Sequence, residues 1–224
     1  MNLTIEGAAQ LLADAEHHIA SMGIPYVLGV QSAFLSRTIV MLRDDGWDDP
    51  SKGWTIPWRK DTNEVRLNEI HEYVAERCSR PLPGDLLELF HISRRIRNRI
   101  THYAGAAGSR LPGEYRSLPR GAKSRWEKIT ERPLTIDARG RLKLSEGELV
   151  AVLATTRHLA AAINEMLAAT ISRESWARVV VADYRSLEPQ RFGERAQRLR
   201  RLRGHANRCY GPLALTDDEL QAAL

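Results

Sequence analysis

The sequence predicts a mainly all-α protein: a helical bundle of four to five helices with a small β-hairpin insertion and a basic helical C-terminal extension. Three observations lead there. Apolar residues make up 43% of the 224-residue chain and aromatics only 6%, and the apolar segments repeat Leu, Ile, Val and Ala at spacings of three and four, the helical period. Start signals of the capping-box type recur at Ser145-x-x-Glu148 and Thr216-x-x-Glu219, where a hydroxyl and a carboxylate satisfy the free N–H groups of a first turn. After Ser172 the composition shifts towards arginine. The expected division is therefore a bundle over 1–171 and an extension over 172–224.

In chain order, Thr4 caps a first helix to about Ser21, with Ile5, Leu11, Leu12, Ala15 and Ile19 on its apolar side. Gly23 and Pro25 end it. A second helix runs from about Tyr26 to Arg43 through Val27, Val30, Phe34, Leu35, Ile39 and Leu42. Periodicity stops over 44–62, where Trp47, Trp54 and Trp58 sit among turn residues. These tryptophans have two readings, a lid on the core or a platform for stacking. A third helix spans about 63–79 through Leu67, Ile70, Val74 and Cys78. Asp85, with Glu88 three residues on, caps a fourth that stops near Tyr103, with Gly105 placed for a left-handed cap. Residues 105–132 read as a basic, Gly- and Pro-rich loop. Leu134/Ile136 and Leu142/Leu144 flank Asp137-Ala138-Arg139-Gly140 as a short hairpin. Ser145 opens a long helix to about Thr170, with Leu149, Val152, Leu153, Thr156, Leu159, Ile163, Met166 and Leu167 on its apolar face. Residues 174–185 fit a short helix, or a strand around Val179–Val181. A strongly basic helix over 189–208 and a last short one from Thr216 complete the chain. There is no internal repeat.

The net charge is +5, and 28 of the 33 basic residues are arginine. Arginine's planar fork suits phosphate. A GC-rich genome produces the same bias, so composition alone does not name a partner. Cys78 and Cys209 lie far apart without metal-ligand spacing, and no Walker loop or dinucleotide fingerprint is present. The expectation is a reduced, cytoplasmic protein with no metal and no cofactor. The N-terminal residues lack the pattern of a signal peptide, and no uninterrupted apolar run reaches the length of a membrane span.

The densest chemistry is Arg94–His102, Arg-Arg-Ile-Arg-Asn-Arg-Ile-Thr-His. With about 100° per residue and Ile96 at the centre, Leu89, Ile92, Ile100 and Tyr103 form one core stripe. Arg97, Thr101, Arg94, Asn98 and His102 then spread from about 100° to about 240°, away from that core. Asn98 and His102 are neighbours on successive turns. Arg-x-x-x-x-His alone says little: it occurs at Arg66/His71, Arg97/His102 and Arg200/His205, and this composition gives about one by chance. Only the middle copy has asparagine directly after the arginine, inside an uninterrupted helical stripe. Because Arg97 points well round from His102, one helix does not easily wrap all three about a single phosphodiester. Two copies related by a two-fold axis would.

Arg97-Asn98-Arg99-Ile100-Thr101-His102 resembles the Arg-x(4–6)-His signature of the HEPN superfamily, in which the residue after arginine is typically Asn, Asp or His. The resemblance covers these six residues, with a compatible helical order over 1–171. It implies a helical bundle that dimerises with motif helices facing each other, and a metal-independent ribonuclease used as a toxin or phage-defence effector, with a possible antitoxin or other defence-system partner. One HEPN subgroup carries a tyrosine two residues past the histidine; here that residue is Ala104, and Tyr103 follows the histidine directly.

The residue types suit the implied chemistry. RNA is cut without metal when a base takes the 2′-OH proton, the oxygen attacks phosphorus in line, and an acid protonates the departing 5′-oxygen. His102 is the candidate base, or acid in the other protomer, Arg97 the phosphate clamp and Asn98 the orienting group. Arg94, Arg95, Arg99, Thr101, Tyr103, Arg110, Lys123 and Arg125 form the candidate RNA-binding surface. The expected products are a 2′,3′-cyclic phosphate and a 5′-OH. The competing readings are a charged solvent face with His102 as a helix cap, a non-catalytic RNA-binding module, and a protein-interaction subunit whose basic C-terminal helix docks on an acidic partner.

Overall fold

The computed structural model describes residues 4–44, 67–187 and 195–224. Among them it contains nine α-helices and one two-stranded sheet, so the protein is mainly all-α, as the periodicity predicts. The tryptophan loop, the first residues of the expected third helix and the first residues of the basic helix lie outside the described residues.

The first two expected helices are one, α1 (Ile5–Asp44), with Pro25 inside it. Proline within a helix costs about 3 kcal/mol, through a lost hydrogen bond and a clash with the preceding turn. The positions that outweigh it run in phase straight through the break: Ala20, Ile24, Leu28, Leu35, Ile39 and Leu42 are all buried. Each large side chain among them contributes about 1.5–3 kcal/mol by leaving water. Helix length also moves the core face away from the expected positions. Ile5, Leu11, Leu12, Ile19 and Val30 are exposed, on the side of α1 opposite that stripe. As one piece, Gln10–Leu42 is long and apolar enough, by length and composition, to cross a bilayer. Its inner stripe is nevertheless the centre of the bundle.

α2 (Leu67–Arg77) and α3 (Gly84–Tyr103) follow. α3 begins before the expected cap: Pro83 is its N-cap and makes no side-chain cap bond. Asp85 is thereby the second helical residue, where its charge still favours the helix N-terminus. The expected loop over 105–132 contains two helices, α4 (Arg110–Arg116) and α5 (Arg120–Thr130). Their prolines are harmless because Pro112 falls in a first turn and Pro119 is an N-cap, positions whose N–H has no helical partner. Leu111, Tyr115, Leu118, Ala122 and Trp126 are buried along them.

The hairpin is present, shorter than expected: β1 (Thr135–Ile136) pairs antiparallel with β2 (Leu142–Lys143). Asp137 Oδ1 closes the turn by accepting from the backbone N–H of Arg139 and of Arg141, both at 2.8 Å. The Ser145 N–H and hydroxyl both donate to Glu148 Oε2 at 2.7 Å, opening α6 (Glu146–Thr170). Leu153, expected on its core face, is exposed, and Leu149 is half-buried. Next come α7 (Arg173–Leu187), helical through Val179–Val181, then α8 (Arg195–Tyr210), a 3-10 turn at Gly211–Leu213, and α9 (Asp217–Ala223). At α9, Thr216 and Glu219 form the expected capping box.

The core has three parts. The first joins α1, α3, α4, α5, the hairpin and the start of α6 around Trp126, Phe90, Ile96 and Leu159. The second joins the end of α1 with α2, the end of α6 and Trp176. The third, built from Val180, Val181, Leu202, Ala206 and Leu220, belongs to α7, α8 and α9.

Candidate functional site

α3 meets the rest of the bundle through Leu86, Leu89, Phe90, Ile92, Ser93 and Ile96. Its opposite side carries the arginine-rich stretch. Beyond Ile96 the helix runs past the core: Ile100 is half-buried, and Tyr103, expected in the core stripe, is 57% exposed. The chain then turns sharply. Ala104 (φ 48) and Gly105 (φ 80) are both left-handed, and the Gly105 N–H donates to Arg99 O at 2.9 Å. The segment after the turn lies along the hairpin. Leu142 N–H donates to Gly105 O, and Ala107 N–H to Gly140 O, each at 2.9 Å. The end of α3 is thus held by β2 rather than left to fray.

Arg97 and His102 are exposed and Asn98 is half-exposed. Arg97 Nη1 donates to Asn98 Oδ1 at 3.0 Å, so the cation and the amide meet despite their separation around the helix. The Thr101 hydroxyl is turned back on the helix, donating to Arg97 O at 2.9 Å. The His102 ring stands edge-on to Tyr103, 6.5 Å between centroids. Arg99 stacks over the other aromatic partner: its guanidinium lies 4.7 Å from the Tyr103 centroid, a cation–π arrangement. Gly108 permits that pose. Its φ is +66, and a Cβ there would come within 3.1–3.2 Å of the Arg99 guanidinium.

The remaining basic candidates divide. Arg95 Nη1 sits 3.2 Å from Glu114 Oε2, and Arg110 Nε donates to Glu114 Oε1 at 2.7 Å. One carboxylate is therefore shared by two of the expected RNA-binding arginines, leaving the trio with one net positive charge. Arg94 is half-buried, and burial, followed by the charges of Arg95 and Arg97, lowers its pKa from the ordinary arginine value. Lys123 lies 5.8 Å from the Tyr115 ring centroid and lines a recess with Arg120, Ser124, Glu127 and Lys128. Arg125 leaves α5 about 160° round from Lys123, so these two do not share a face.

Two residues of this neighbourhood escape a motif search. Glu114 arrives from α4, inside the stretch read as loop, and nothing in its local sequence points to α3. His91 was legible: with Arg95, Asn98 and His102 it makes an i, i+4, i+7, i+11 series along one stripe of α3. Burial, then the Arg94 charge, lowers the His91 pKa below the ordinary histidine value, which favours a neutral ring. It lies about three turns, or roughly 16 Å, from His102 along the helix axis. That is too far to share one phosphate. Among the described residues no cluster of three metal-ligating side chains occurs. Comparison with family models, curated proteins and solved structures gives no match.

Proposed function

We propose that the chain is a metal-independent RNA endonuclease of HEPN type, acting as a homodimer in which Arg97, Asn98 and His102 work on one phosphodiester. One observation carries this reading: the exposed end of α3 holds a guanidinium already hydrogen-bonded to the asparagine amide, with an exposed imidazole one turn further on. His102 of one copy takes the 2′-OH proton as that oxygen attacks phosphorus, and His102 of the other protonates the leaving 5′-oxygen. Arg97 meets the charge that develops on the phosphorane oxygens. Asn98, through its bond to Arg97, fixes the clamp. The nucleophile is the substrate's own hydroxyl, so the chemistry needs no metal-activated water. A role as a toxin or phage-defence effector goes with this activity.

The test is incubation of the purified chain with total RNA in EDTA, beside Arg97→Ala and His102→Ala. Cutting should persist in chelator and fall by about 10²-fold or more in His102→Ala, the usual contribution of a positioned acid or base. Cutting that survives both substitutions places the chemistry elsewhere. A second reading, a non-catalytic RNA-binding or protein-interaction helical module, draws on the exposed Arg200, Arg201 and Arg208 of α8. Absence of cutting by the unaltered chain, together with salt-sensitive RNA binding, favours it.

A further inference from the structure

Away from α3, a further set of nucleophilic and titratable side chains converges between α7 and α8. The packing of Val180 and Val181 against Leu202 and Ala206 sets Asp183 of α7 beside His205 of α8. His205 Nε2 lies 2.9 Å from Asp183 Oδ2, and the Tyr210 hydroxyl donates to the same oxygen at 3.0 Å. Burial, and then that bond, raise the Tyr210 pKa well above the ordinary tyrosine range, which keeps the phenol a donor. His205 itself is only 6% exposed, so its ring is fixed in place. A carboxylate accepting at Nε2 puts the neutral ring's proton there and leaves Nδ1 as the acceptor. Nδ1 lies 3.8 Å from the sulfur of Cys209, one turn further along α8. Cys209 is free and exposed.

A nucleophile within reach of a base, with the base's far nitrogen held by a third group, is the arrangement that activates nucleophiles. At His205 opens a recess of about 380 Å³, lined also by Tyr184, Leu187, Arg201, Gly204 and Arg208, the residue before Cys209. Its two guanidinium groups favour an anion. Cys78 is the internal contrast. It is buried, and desolvation raises its thiol pKa above the ordinary value, the environment of an inert thiol.

We propose that Cys209 is a nucleophilic thiol that exchanges with a small anionic disulfide seated by Arg201 and Arg208, with His205 as the base and Asp183 as its positioning residue. The Cys209 S–H proton passes to His205 Nδ1 as the sulfur attacks. The S–S bond of the disulfide breaks, a mixed disulfide forms on Cys209, and the released thiolate takes the proton back from the imidazolium. Cys209 is oxidised, and one sulfur of the co-reactant is reduced to a thiol. The attached group then places negative charge on α8, the most basic of the described helices.

The experiment compares rates of mixed-disulfide formation on the full chain with glutathione disulfide, which is anionic, and with cystamine, which is cationic. Mass spectrometry locates the adduct, and N-acetylcysteine serves as the free-thiol reference. At low salt Cys209 should favour the anionic probe by about tenfold or more over the reference ratio. Arg201→Gln with Arg208→Gln, both at exposed positions, should abolish that preference. His205→Gln, if folded by circular dichroism, should slow both probes about tenfold; if it does not fold, the arginine pair decides. A charge ratio equal to that of the reference, an adduct on Cys78 instead of Cys209, or an unchanged rate in folded His205→Gln overturns the proposal.

Discussion

Replacing Glu148 with alanine removes a carboxylate that is fully buried and ties the start of α6 to the segment that follows α5. It accepts from Arg132 Nη2 at 3.1 Å and from the Ser145 backbone and hydroxyl at 2.7 Å each. Deleting one partner of a buried ion pair costs about 3–5 kcal/mol, because the other charge loses its counterpart without regaining water. The Arg132 side chain is 30% exposed, so its guanidinium recovers part of its hydration, and the expected loss lies at the lower end, about 3 kcal/mol. For a chain of this size each kcal/mol moves the midpoint by about 2–4 °C, giving a fall of roughly 6–12 °C in Tm. Thermal unfolding followed by circular dichroism reads this directly. Arg132→Met with Glu148→Met should recover part of the loss, since no charge is then left unpaired. A loss below about 1 kcal/mol for Glu148→Ala would refute the reasoning, since that is the scale of an exposed pair.

Three further outcomes are expected. Gly108→Ala should cost about 1–2 kcal/mol, the cost of a left-handed residue with a Cβ, and should displace Arg99 from Tyr103; an unchanged Tm would show that the turn relaxes. Glu114→Gln should release Arg95 and Arg110, steepening the logarithmic salt dependence of single-stranded RNA binding by up to about 1.4, or about 0.7 per freed cation; an unchanged slope would place RNA elsewhere. Glu219 has its pKa lowered to about 2, first by the Arg173 hydrogen bond and then by the Thr216 backbone. A depressed carboxylate stabilises the fold above its unfolded value near 4.5 and loses that contribution as pH falls towards 2. Carboxyl NMR titration should therefore find a midpoint near 2 that rises in Arg173→Met, and a midpoint near 4.5 in the unaltered chain would contradict the bidentate Arg173 contact.

The helical class, the hairpin, α6 and both capping boxes at Ser145 and Thr216 were legible because each depends on local spacing. The α1 break was misread because Gly23 and Pro25 are local signals, whereas the stripe Ala20, Ile24, Leu28 that overrides them gains its energy from α3 and α6. Residues 105–132 were misread for a related reason. Pro112, Gly113, Pro119 and Gly121 punctuate the starts of helices there, while the buried series Leu111, Tyr115, Leu118, Ala122, Trp126 keeps helical spacing throughout. At the site, the outward turn of Arg97, Asn98 and His102 followed from the α3 stripe. The Arg97–Asn98 bond depends on a rotamer, and the Glu114 clamp on how α4 packs, so neither was written in local sequence.

The continuity of α1 has a consequence for how the chain is made. Its inner stripe supplies Ala20, Ile24 and Leu28 to one part of the core and Leu35, Ile39 and Leu42 to another, and in both parts α6 is a principal partner. α6 begins about a hundred residues after α1 ends. At roughly 5–20 residues per second of synthesis, α1 waits on the order of 5–20 s for α6, with only α2 and α3 available to cover that stripe. For that interval the nascent chain carries a long apolar helix only partly covered by α2 and α3, a surface of the kind that holdase chaperones and targeting factors bind. The ribosome-bound chain should therefore be at its most aggregation-prone before residue 146 emerges, and safe only once α6 has closed over the spine.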